Sequence, residues 1–331
     1  MPRAKIYNYI TTPEKLAKIS RVNRSLLQDF LLYLRSVDRS PNTIETYRQD
    51  IGVFLVYNLE YNDNKDFTKI TKRELIRFQN HALTEWKWSP NRLRGVKSAL
   101  SSLSNYIENI LDEEYPGYRN IVCKIESPAQ HKVMEPSVFT EDELKGLLDH
   151  LIAENKIRHA ALLALAMYSG RRKSELLRFK IDWFTDENVI YDTLWKTPER
   201  VQTKGRGSIG KQIYLYVLKN KFEPYLDLWR KYREEHNIDS EWMFPSYHDY
   251  SKSITTDLMN DLAKEFSKIT GKDFYWHAMR HFFTTMLIRQ NVPMPIIQDI
   301  INWESSDMLK IYSDLSTDEN IGRFFKDNKI S

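Results

Sequence analysis

Six polar side chains in the last half of the chain have the types that chemistry at a phosphodiester requires. Two arginines can bind the oxygens of a phosphate through paired N–H donors. A lysine and a histidine can transfer protons, and a tyrosine hydroxyl can attack phosphorus and hold the broken strand. A tryptophan can donate its indole N–H to a phosphate oxygen while it shields the site from water. These candidates are Arg172, Lys204, His277, Arg280, Trp303 and Tyr312.

The first arginine stands where a helix is expected to end. The apolar run AALLALAMY leads to Gly170, a residue type that favours the position just after a helix. Arg172 follows in the turn, Ser174 is expected to cap the next helix, and Glu175 can orient the guanidinium. Taken alone, the pattern also fits a surface arginine that only pairs with Glu175.

The lysine lies in the glycine-rich segment QTKGRGSIG, which reads as a hairpin tip. A lysine there can swing into a neighbouring site and donate a proton to a leaving oxygen. Arg206 and Lys211 compete with Lys204 for this role, and an exposed turn lysine is the simpler interpretation. The segment is not a Walker loop, because no Gly-Lys-Ser/Thr ends it.

The segment Trp276–His–Ala–Met–Arg–His281 places two candidates three residues apart. On a helix, His277 and Arg280 share a face and can touch one phosphate. His281 lies four residues after His277, but no Asp, Glu or Cys at suitable spacing completes a metal site, so a supporting role is expected for it. Tyr312 lies nine residues after Trp303; with 19 tyrosines in the chain, its position rather than its type singles it out.

The composition favours an ordinary globular protein of two domains. The chain has 331 residues and a hydrophobic fraction of 41%, and its single Cys123 excludes a disulfide framework. No stretch of about 18 apolar residues is present, and the start lacks an apolar signal core. We therefore expect a cytoplasmic protein with no membrane partner.

The positive charge is concentrated in the first third of the chain. Residues 1–110 carry 18 lysines and arginines against 11 acidic residues, whereas the remainder carries 31 against 34. A basic helical half favours an acidic partner such as DNA, although an incidental excess on a solvated surface gives the same count.

Helix-capping signals and a linker divide the chain. Capping residues followed by proline occur at Thr12, Ser40 and Ser89, and capping boxes begin at Thr71 and Thr140. These signals and amphipathic periods predict packed helices over 21–111, whereas 112–136 has three prolines and no sustained period. The second half opens helical, becomes β-rich at 188–194 and 211–217, and returns to helix from about residue 254.

In their order along the chain, these motifs closely resemble the tyrosine recombinase (phage integrase) family over nearly the whole sequence. SGRRKSEL resembles the first arginine motif with Arg172 in the catalytic place, and TKG resembles the hairpin lysine motif with Lys204. HAMRHFFTTML resembles the histidine–arginine box, and IINWESSDMLKIYSDL the final helix pair with Tyr312 as nucleophile. The segment SPNTIETYRQDI resembles part of that family's core-binding helical domain.

The resemblance implies a mainly α fold with a small antiparallel β-sheet in the catalytic domain, in a two-domain architecture that clamps DNA. It implies an N-terminal extension over 1–20, a helical SAM-like core-binding domain over 21–111, a linker over 112–136 and a catalytic domain over 137–331. The last part, 313–331, would be a tail helix that docks on a neighbouring protomer.

The resemblance also implies a site-specific recombinase that needs no cofactor and no metal. Tyr312 would form a 3′-phosphotyrosyl bond, and Arg172 and Arg280 would stabilise the phosphorane. Lys204 would protonate the 5′ leaving oxygen and His277 would assist proton transfer at the tyrosine, with Glu175 and His281 in support. Strand exchange would proceed through a Holliday junction in a homotetramer on double-stranded DNA.

Two departures from the family pattern and two other activities stay open at this stage. Ile301–Asn302–Trp303 replaces the usual Leu-Gly-His, a change that some family members share. About 20 residues precede the core-binding region, too few for a separate arm-site domain. A DNA-binding architectural protein without catalysis and a type IB-like topoisomerase are the alternatives. The target site, any accessory proteins and the choice among integration, excision, inversion and dimer resolution are not determined by the sequence.

Overall fold

The computed structural model describes residues 9–129, 139–203 and 210–303. They form two compact units, each with its own hydrophobic core. We call residues 9–129 the N-terminal unit, and residues 139–203 with 211–303 the C-terminal unit. Both are mainly helical, and the strands lie in the C-terminal unit, so the predicted fold class is confirmed.

The N-terminal unit is a bundle of helices whose starts match the capping signals. Thr12, Ser40 and Ser89 each accept a hydrogen bond from a backbone N–H of the first turn, and Thr71 with Glu74 forms a capping box. Helices that bury one apolar face around Phe30, Phe54 and Leu100 make the core. The α-helices are α1 Pro13–Lys18, α2 Arg21–Ser36, α3 Pro41–Tyr61, α4 Lys72–Thr84 and α5 Pro90–Ile110, with short 3₁₀ turns at Phe67–Lys69 and Val122–Lys124.

The C-terminal unit is built around one helix that is buried on nearly all sides. Ile157–Ser169, α7, carries the apolar run seen in the sequence, and such a helix must lie inside a core rather than on its surface. The other helices are α6 Glu141–Ala153, α8 Lys173–Leu176, α9 Lys219–Glu235, α10 Thr256–Thr270, α11 Trp276–Arg289 and α12 Met294–Ile301, with 3₁₀ turns at Ile181–Trp183 and Asp186–Asn188.

The strands of the C-terminal unit form small antiparallel sheets. One has the order β1-β2-β5, with Trp195 opposite Val217, and the pairs β3-β4 and β6-β7 form separate hairpins. The strands are β1 Val189–Ile190, β2 Leu194–Lys196, β3 Val201–Thr203, β4 Lys211–Ile213, β5 Tyr216–Leu218, β6 Pro245–Ser246 and β7 Asp249–Ser253. The glycine-rich segment of the sequence therefore connects β3 to β4.

Across the described ranges, none of the helices combines the length and the apolar character needed to cross a lipid bilayer.

Candidate active site

The turn between α7 and α8 presents the first candidate arginine. Gly170 ends α7 with a φ of 61°, in the left-handed region, and a Cβ atom built on it would lie 2.5 Å from Cδ1 of Phe283. A residue without a side chain is thus needed both for the backbone conformation and for the close approach of α11. This tight junction brings the Arg172 turn against the helix that carries the histidine–arginine box.

Arg172, not Ser174, occupies the capping position of α8. Its backbone is extended (φ −69°, ψ 153°), and its N–H donates to Oε2 of Glu175 over 3.1 Å. The prediction that Ser174 caps this helix is wrong, because Ser174 lies within α8, past the position from which a side chain reaches the first free N–H groups.

Glu175 also binds the Arg172 side chain. The guanidinium donates through Nη1 to Oε1 of Glu175 over 2.9 Å, and the carboxylate side chain is only 1% exposed. The Arg172 side chain is 32% exposed. A buried carboxylate therefore fixes one edge of a guanidinium whose remaining donors can reach a ligand.

Arg280, the second candidate arginine, is fully buried between two helix ends. Its Nη1 donates to the carbonyl of Gly170 over 3.1 Å, and its Nη2 donates to the carbonyl of Ile301 over 2.7 Å. Carbonyls at a helix C-terminus lack partners within the helix and carry a partial negative charge, which a guanidinium compensates. Arg280 thus connects the turn after α7 to the end of α12.

His277 lies in the first turn of α11 and is exposed. Although part of the residue reaches solvent, its pKa is lowered to about 4, first by desolvation and then by the neighbouring His281 and the charges of Arg280 and Arg172. His277 is therefore neutral near pH 7 and able to accept a proton. The charges of both candidate arginines thus act on this imidazole.

His281 contacts His277 rather than lying deep in the core. It is half-buried, its ring centroid lies 4.9 Å from that of His277, and the two rings meet edge to face. Burial, followed by the charge of Arg280, lowers the pKa of His281. An uncharged imidazole here avoids adding another cation beside the arginines.

Trp303 is the last described residue of the chain and packs at the candidate site. It is buried, with 6% of its surface exposed, and its ring centroid lies 5.7 Å from the guanidinium carbon of Arg280. Its backbone N–H donates to Gln298 of α12 over 3.1 Å. The ring therefore packs beside the second arginine, as a residue that shields the site would.

Arg171 was not expected from the sequence as part of this site. It is fully buried, and its Nε donates to the carbonyl of Ser169 over 3.1 Å, while its Nη2 donates to the carbonyl of Ile300. Because Arg171 and Arg172 are adjacent and of the same type, the sequence does not indicate which of the two side chains is buried. With Arg171, the described part of the site contains three guanidinium groups, of which Arg172 is paired with Glu175, and this excess of positive charge attracts an anion such as phosphate.

A second contact missed by the sequence reaches the strand that leads to Lys204. Nη1 of Arg178 donates to Oε1 of Gln202 on β3 over 3.1 Å. Lys204 itself, the alternative Arg206, the nucleophile candidate Tyr312 and the tail 313–331 lie outside the described residues. Lys211, the other alternative to Lys204, is exposed on β4.

The fold and the site define a class: two mainly helical units, with a preorganised cationic site in the second one. Comparison with known proteins identifies it further. Residues 137–319 match the model of the phage integrase family, and residues 26–117 match that of the phage integrase N-terminal SAM-like domain.

Individual relatives are similar along most of their length. The tyrosine recombinase of Thermosipho africanus is 26% identical over 302 residues, which cover 89% of this chain and 95% of the relative. The tyrosine recombinase XerA of Pyrococcus furiosus is 23% identical and covers 87% of this chain and 88% of its own. The fold is similar to that of the XerH site-specific recombinase bound to a palindromic difH substrate, with a TM-score of 0.64, 18% identity, and coverage of 86% and 80%.

This chain belongs to the phage integrase family. It is accordingly a tyrosine recombinase, an enzyme that breaks and rejoins DNA strands.

Proposed function

We propose that this enzyme recombines DNA at a specific site through a covalent 3′-phosphotyrosyl intermediate on Tyr312. The tyrosine oxygen attacks the scissile phosphorus, and the 5′ oxygen of the next nucleotide leaves with a proton. The 5′-hydroxyl of a partner strand then attacks the phosphotyrosyl bond and releases the tyrosine. Two such rounds of exchange pass through a Holliday junction without a metal or nucleotide cofactor.

Each polar residue of the site has a proposed role in this reaction. Arg172 and Arg280 stabilise the negative charge that grows on the non-bridging oxygens, as preorganised donors do at an oxyanion. Lys204 donates the proton to the 5′ leaving oxygen. His277 assists the proton transfer at the tyrosine, and Trp303 shields the phosphate from water. Glu175 and His281 hold Arg172 and His277 in place.

The Arg172–Glu175 pair beside Arg280 and His277 is the observation that carries this proposal. A buried carboxylate that orients a partly exposed guanidinium is an arrangement suited to phosphate. The lowered pKa of His277 keeps its imidazole neutral at physiological pH, so that a ring nitrogen can accept a hydrogen bond from the tyrosine hydroxyl. A protein that only binds DNA would have no need of a nucleophile such as Tyr312.

Double-stranded DNA is the proposed partner of both units. The excess of 18 basic over 11 acidic residues in 1–110 supports phosphate contacts by the N-terminal unit. The similar fold of XerH, which was solved on its difH substrate, supports a DNA-bound arrangement. We propose that the domains are 21–111 and 137–331, joined by 112–136; matches of the family models to 26–117 and 137–319 support a division into two domains.

The active assembly that we propose is a homotetramer on two recombination sites, in the cytoplasm. The tail 313–331 carries Ile321, Phe324 and Phe325, an apolar set that needs a groove, and we propose that it docks on a neighbouring protomer. Integration, excision, inversion and dimer resolution are all possible outcomes of this reaction, and the DNA that flanks the gene distinguishes them. Attachment-site repeats there would indicate a mobile element, whereas inverted repeats around a promoter would indicate an inversion switch.

Covalent trapping tests the proposed reaction. A nicked suicide substrate, from which the leaving fragment diffuses away, should convert the wild type into an SDS-resistant protein–DNA adduct. Tyr312→Phe should bind the same DNA and form no adduct, while the matched variant Tyr275→Phe, close to His277, should react normally. An adduct with Tyr312→Phe and none with Tyr275→Phe would transfer the nucleophile to Tyr275.

Two assays distinguish a recombinase from the alternative activities: the suicide substrate and the relaxation of a plasmid. Absence of any adduct with folded, DNA-bound wild type would indicate an architectural DNA-binding protein. Relaxation of a supercoiled plasmid that lacks specific sites would indicate a topoisomerase instead.

The general-acid role of Lys204 has its own test. Lys204→Ala should slow cleavage, and a bridging 5′-phosphorothiolate should restore the rate, because a thiolate leaves without needing a proton. Equal defects on both substrates would remove Lys204 from this role and favour Arg206 or Lys211.

A further inference from the structure

Arg171 is a buried charge next to the site that the proposed chemistry does not use. None of its surface is exposed, and the proposed chemistry assigns the phosphate contacts to Arg172 and Arg280 instead. Arg171 bonds to two backbone carbonyls, those of Ser169 at the end of α7 and Ile300 in the last turn of α12. These carbonyls lie 131 positions apart in the chain, which makes Arg171 a bridge between distant elements.

Arg280 makes a second bridge beside it. It binds the carbonyls of Gly170 and Ile301, which are the next residues along both segments. Two guanidinium groups thus hold two consecutive carbonyls at the end of α7 and two at the end of α12. Both ends are helix C-termini, where carbonyls lack intrahelical partners and attract cations.

Burial of the Arg171 charge reduces the stability of the fold, and packing alone does not explain why an arginine is present here. Burial lowers its pKa to about 10; the carboxylate of Glu175 opposes this effect, and the charge of Arg172 adds to it. Its Nη1 is buried and has no hydrogen-bond acceptor among the described residues. An apolar side chain of similar size would avoid both penalties. The arginine is better explained by its hydrogen bonds, which fix the end of α7 relative to the end of α12, than by a contribution to stability.

That position matters because of what each end carries. The α7 end continues directly into Arg172, and the α12 end continues through Asn302 to Trp303 and then to the segment that contains Tyr312. In the proposed reaction Arg280 also serves the phosphate, whereas the described hydrogen bonds of Arg171 go to these two backbone carbonyls.

We propose that Arg171 is a positioning residue for strand cleavage. It sets the end of α12, and with it the start of the tyrosine segment, relative to Arg172. This inference rests on the proposed roles of Arg172 and Tyr312. It predicts that loss of the bridge slows the chemical step while the fold and the DNA affinity are retained, because misplacement by about 1 Å costs on the order of 100-fold in rate.

The test compares Arg171→Met, Arg171→Lys and Arg233→Met in the full-length protein. Arg233 is the matched control: it is also buried and donates to backbone carbonyls, including those of Trp242 over 2.7 Å and Met243 over 3.4 Å, but it holds a loop outside the proposed machinery. Single-turnover cleavage of the suicide substrate at saturating DNA, DNA affinity, melting temperature and amide hydrogen exchange over 294–303 are measured for each.

Arg171→Met should cleave about 10- to 100-fold more slowly, with a Kd for DNA within about threefold of the wild type. Its melting temperature should change no more than that of Arg233→Met, since both substitutions remove a desolvated charge and free backbone carbonyls, and the amides of 294–303 should exchange faster. Arg171→Lys keeps the charge but not the fork of donors and should recover part of the rate. Arg233→Met should melt at a lower temperature and cleave normally once folded.

Wild-type cleavage by folded Arg171→Met would overturn the proposal. So would a cleavage loss that matches the loss of folded protein. Should Arg171→Met fail to fold, Arg171→Lys decides, and a wild-type rate with unchanged exchange over 294–303 would refute positioning. Tyr312→Phe is run in parallel: an adduct in that variant would reject the proposed nucleophile, a failure distinct from that of Arg171.

Discussion

The two units bury different kinds of polar groups. In the described part of the N-terminal unit, most of them are neutral amides, such as Asn23 and Asn58, and the buried Asp50 is paired with Arg92 over 2.8 Å. In the described part of the C-terminal unit, five charged side chains are buried. They are Arg158, Arg171, Glu175, Arg233 and Arg280.

The difference reflects what each group does. Asn23 donates to the carbonyl of Lys65 over 2.9 Å and accepts from the N–H of Phe67 over 2.8 Å, so that one amide fastens a whole loop to α2. A neutral amide does this without the desolvation of a charge. Three of the five charged groups instead surround the candidate phosphate site. The buried amides therefore have a structural role, whereas three of the five buried charges of the C-terminal unit lie at the candidate site.

The largest effect should follow from removing the arginines proposed to bind phosphate. We expect Arg172→Ala and Arg280→Ala each to slow cleavage at least about 100-fold, as the loss of a preformed oxyanion donor does. Single-turnover cleavage at saturating DNA measures it. Arg280→Ala should also lower the melting temperature, because it frees the carbonyls of Gly170 and Ile301. A cleavage rate reduced by less than about tenfold in either variant would contradict a role of that arginine in catalysis.

Two glycines of the C-terminal unit are expected to differ in how much an alanine substitution destabilises the fold. Gly170 and Gly271 both have positive φ, 61° and 68°, but only the Cβ built on Gly170 meets Phe283, at 2.5 Å. Gly271→Ala should cost about 1 kcal/mol of unfolding free energy from backbone strain alone. Gly170→Ala adds a steric clash and should cost about 2–4 kcal/mol. Urea unfolding measures both, and equal costs would mean that the junction of α7 with α11 adapts freely.

In the N-terminal unit, Asn23→Ala should reduce stability without a specific catalytic defect. It removes two hydrogen bonds and leaves the N–H of Phe67 buried without its acceptor, a loss of about 1–3 kcal/mol. Asn109→Ala, which removes an exposed bond to the carbonyl of Asn105, should change stability by less than about 0.5 kcal/mol. Cleavage by folded Asn23→Ala should equal that of the wild type, and a rate defect at saturating DNA would contradict the structural role.

The smallest expected effect concerns pH. Burial, followed by the charge of Arg158, lowers the pKa of His159 from 6.5 to about 4. In this pH range His159 binds a proton in the unfolded chain but not in the folded chain. The free energy of unfolding therefore decreases as the pH falls from about 6.5 towards about 4. His159→Gln should reduce the loss between pH 7 and pH 5 by about 1 kcal/mol, measured by urea unfolding at both values. An unchanged loss would show that His159 is solvated.

Much of this could be predicted from the sequence where the signal is local. The caps at Ser40, Ser89 and Thr140 follow from side chains that bond within their own first turn, and the structure contains all three. The Arg172–Glu175 pair is equally local. The order of the polar residues identified the family, because several spaced motifs together are far more specific than any one of them.

The remainder depends on tertiary packing. Arg171 and Arg172 are neighbours of the same type, and only the approach of α12 determines that Arg171 is the one that lies inside. Ser174 had the right residue type for a cap, but the chain enters α8 two residues earlier, at Arg172. Neither result follows from residue type or spacing, since both are set by where distant elements meet.

The most direct test of the central claim is to identify the residue that carries the DNA. The trapped adduct is digested with nuclease and trypsin, and the modified peptide is sequenced by mass spectrometry. Cleavage after Lys310 and Arg323 yields peptide 311–323, IYSDLSTDENIGR, in which Tyr312 is the one tyrosine. We predict a residual nucleotide phosphate on Tyr312 in this peptide. The same mass on peptide 273–280, which contains Tyr275, or on any other residue would contradict the account.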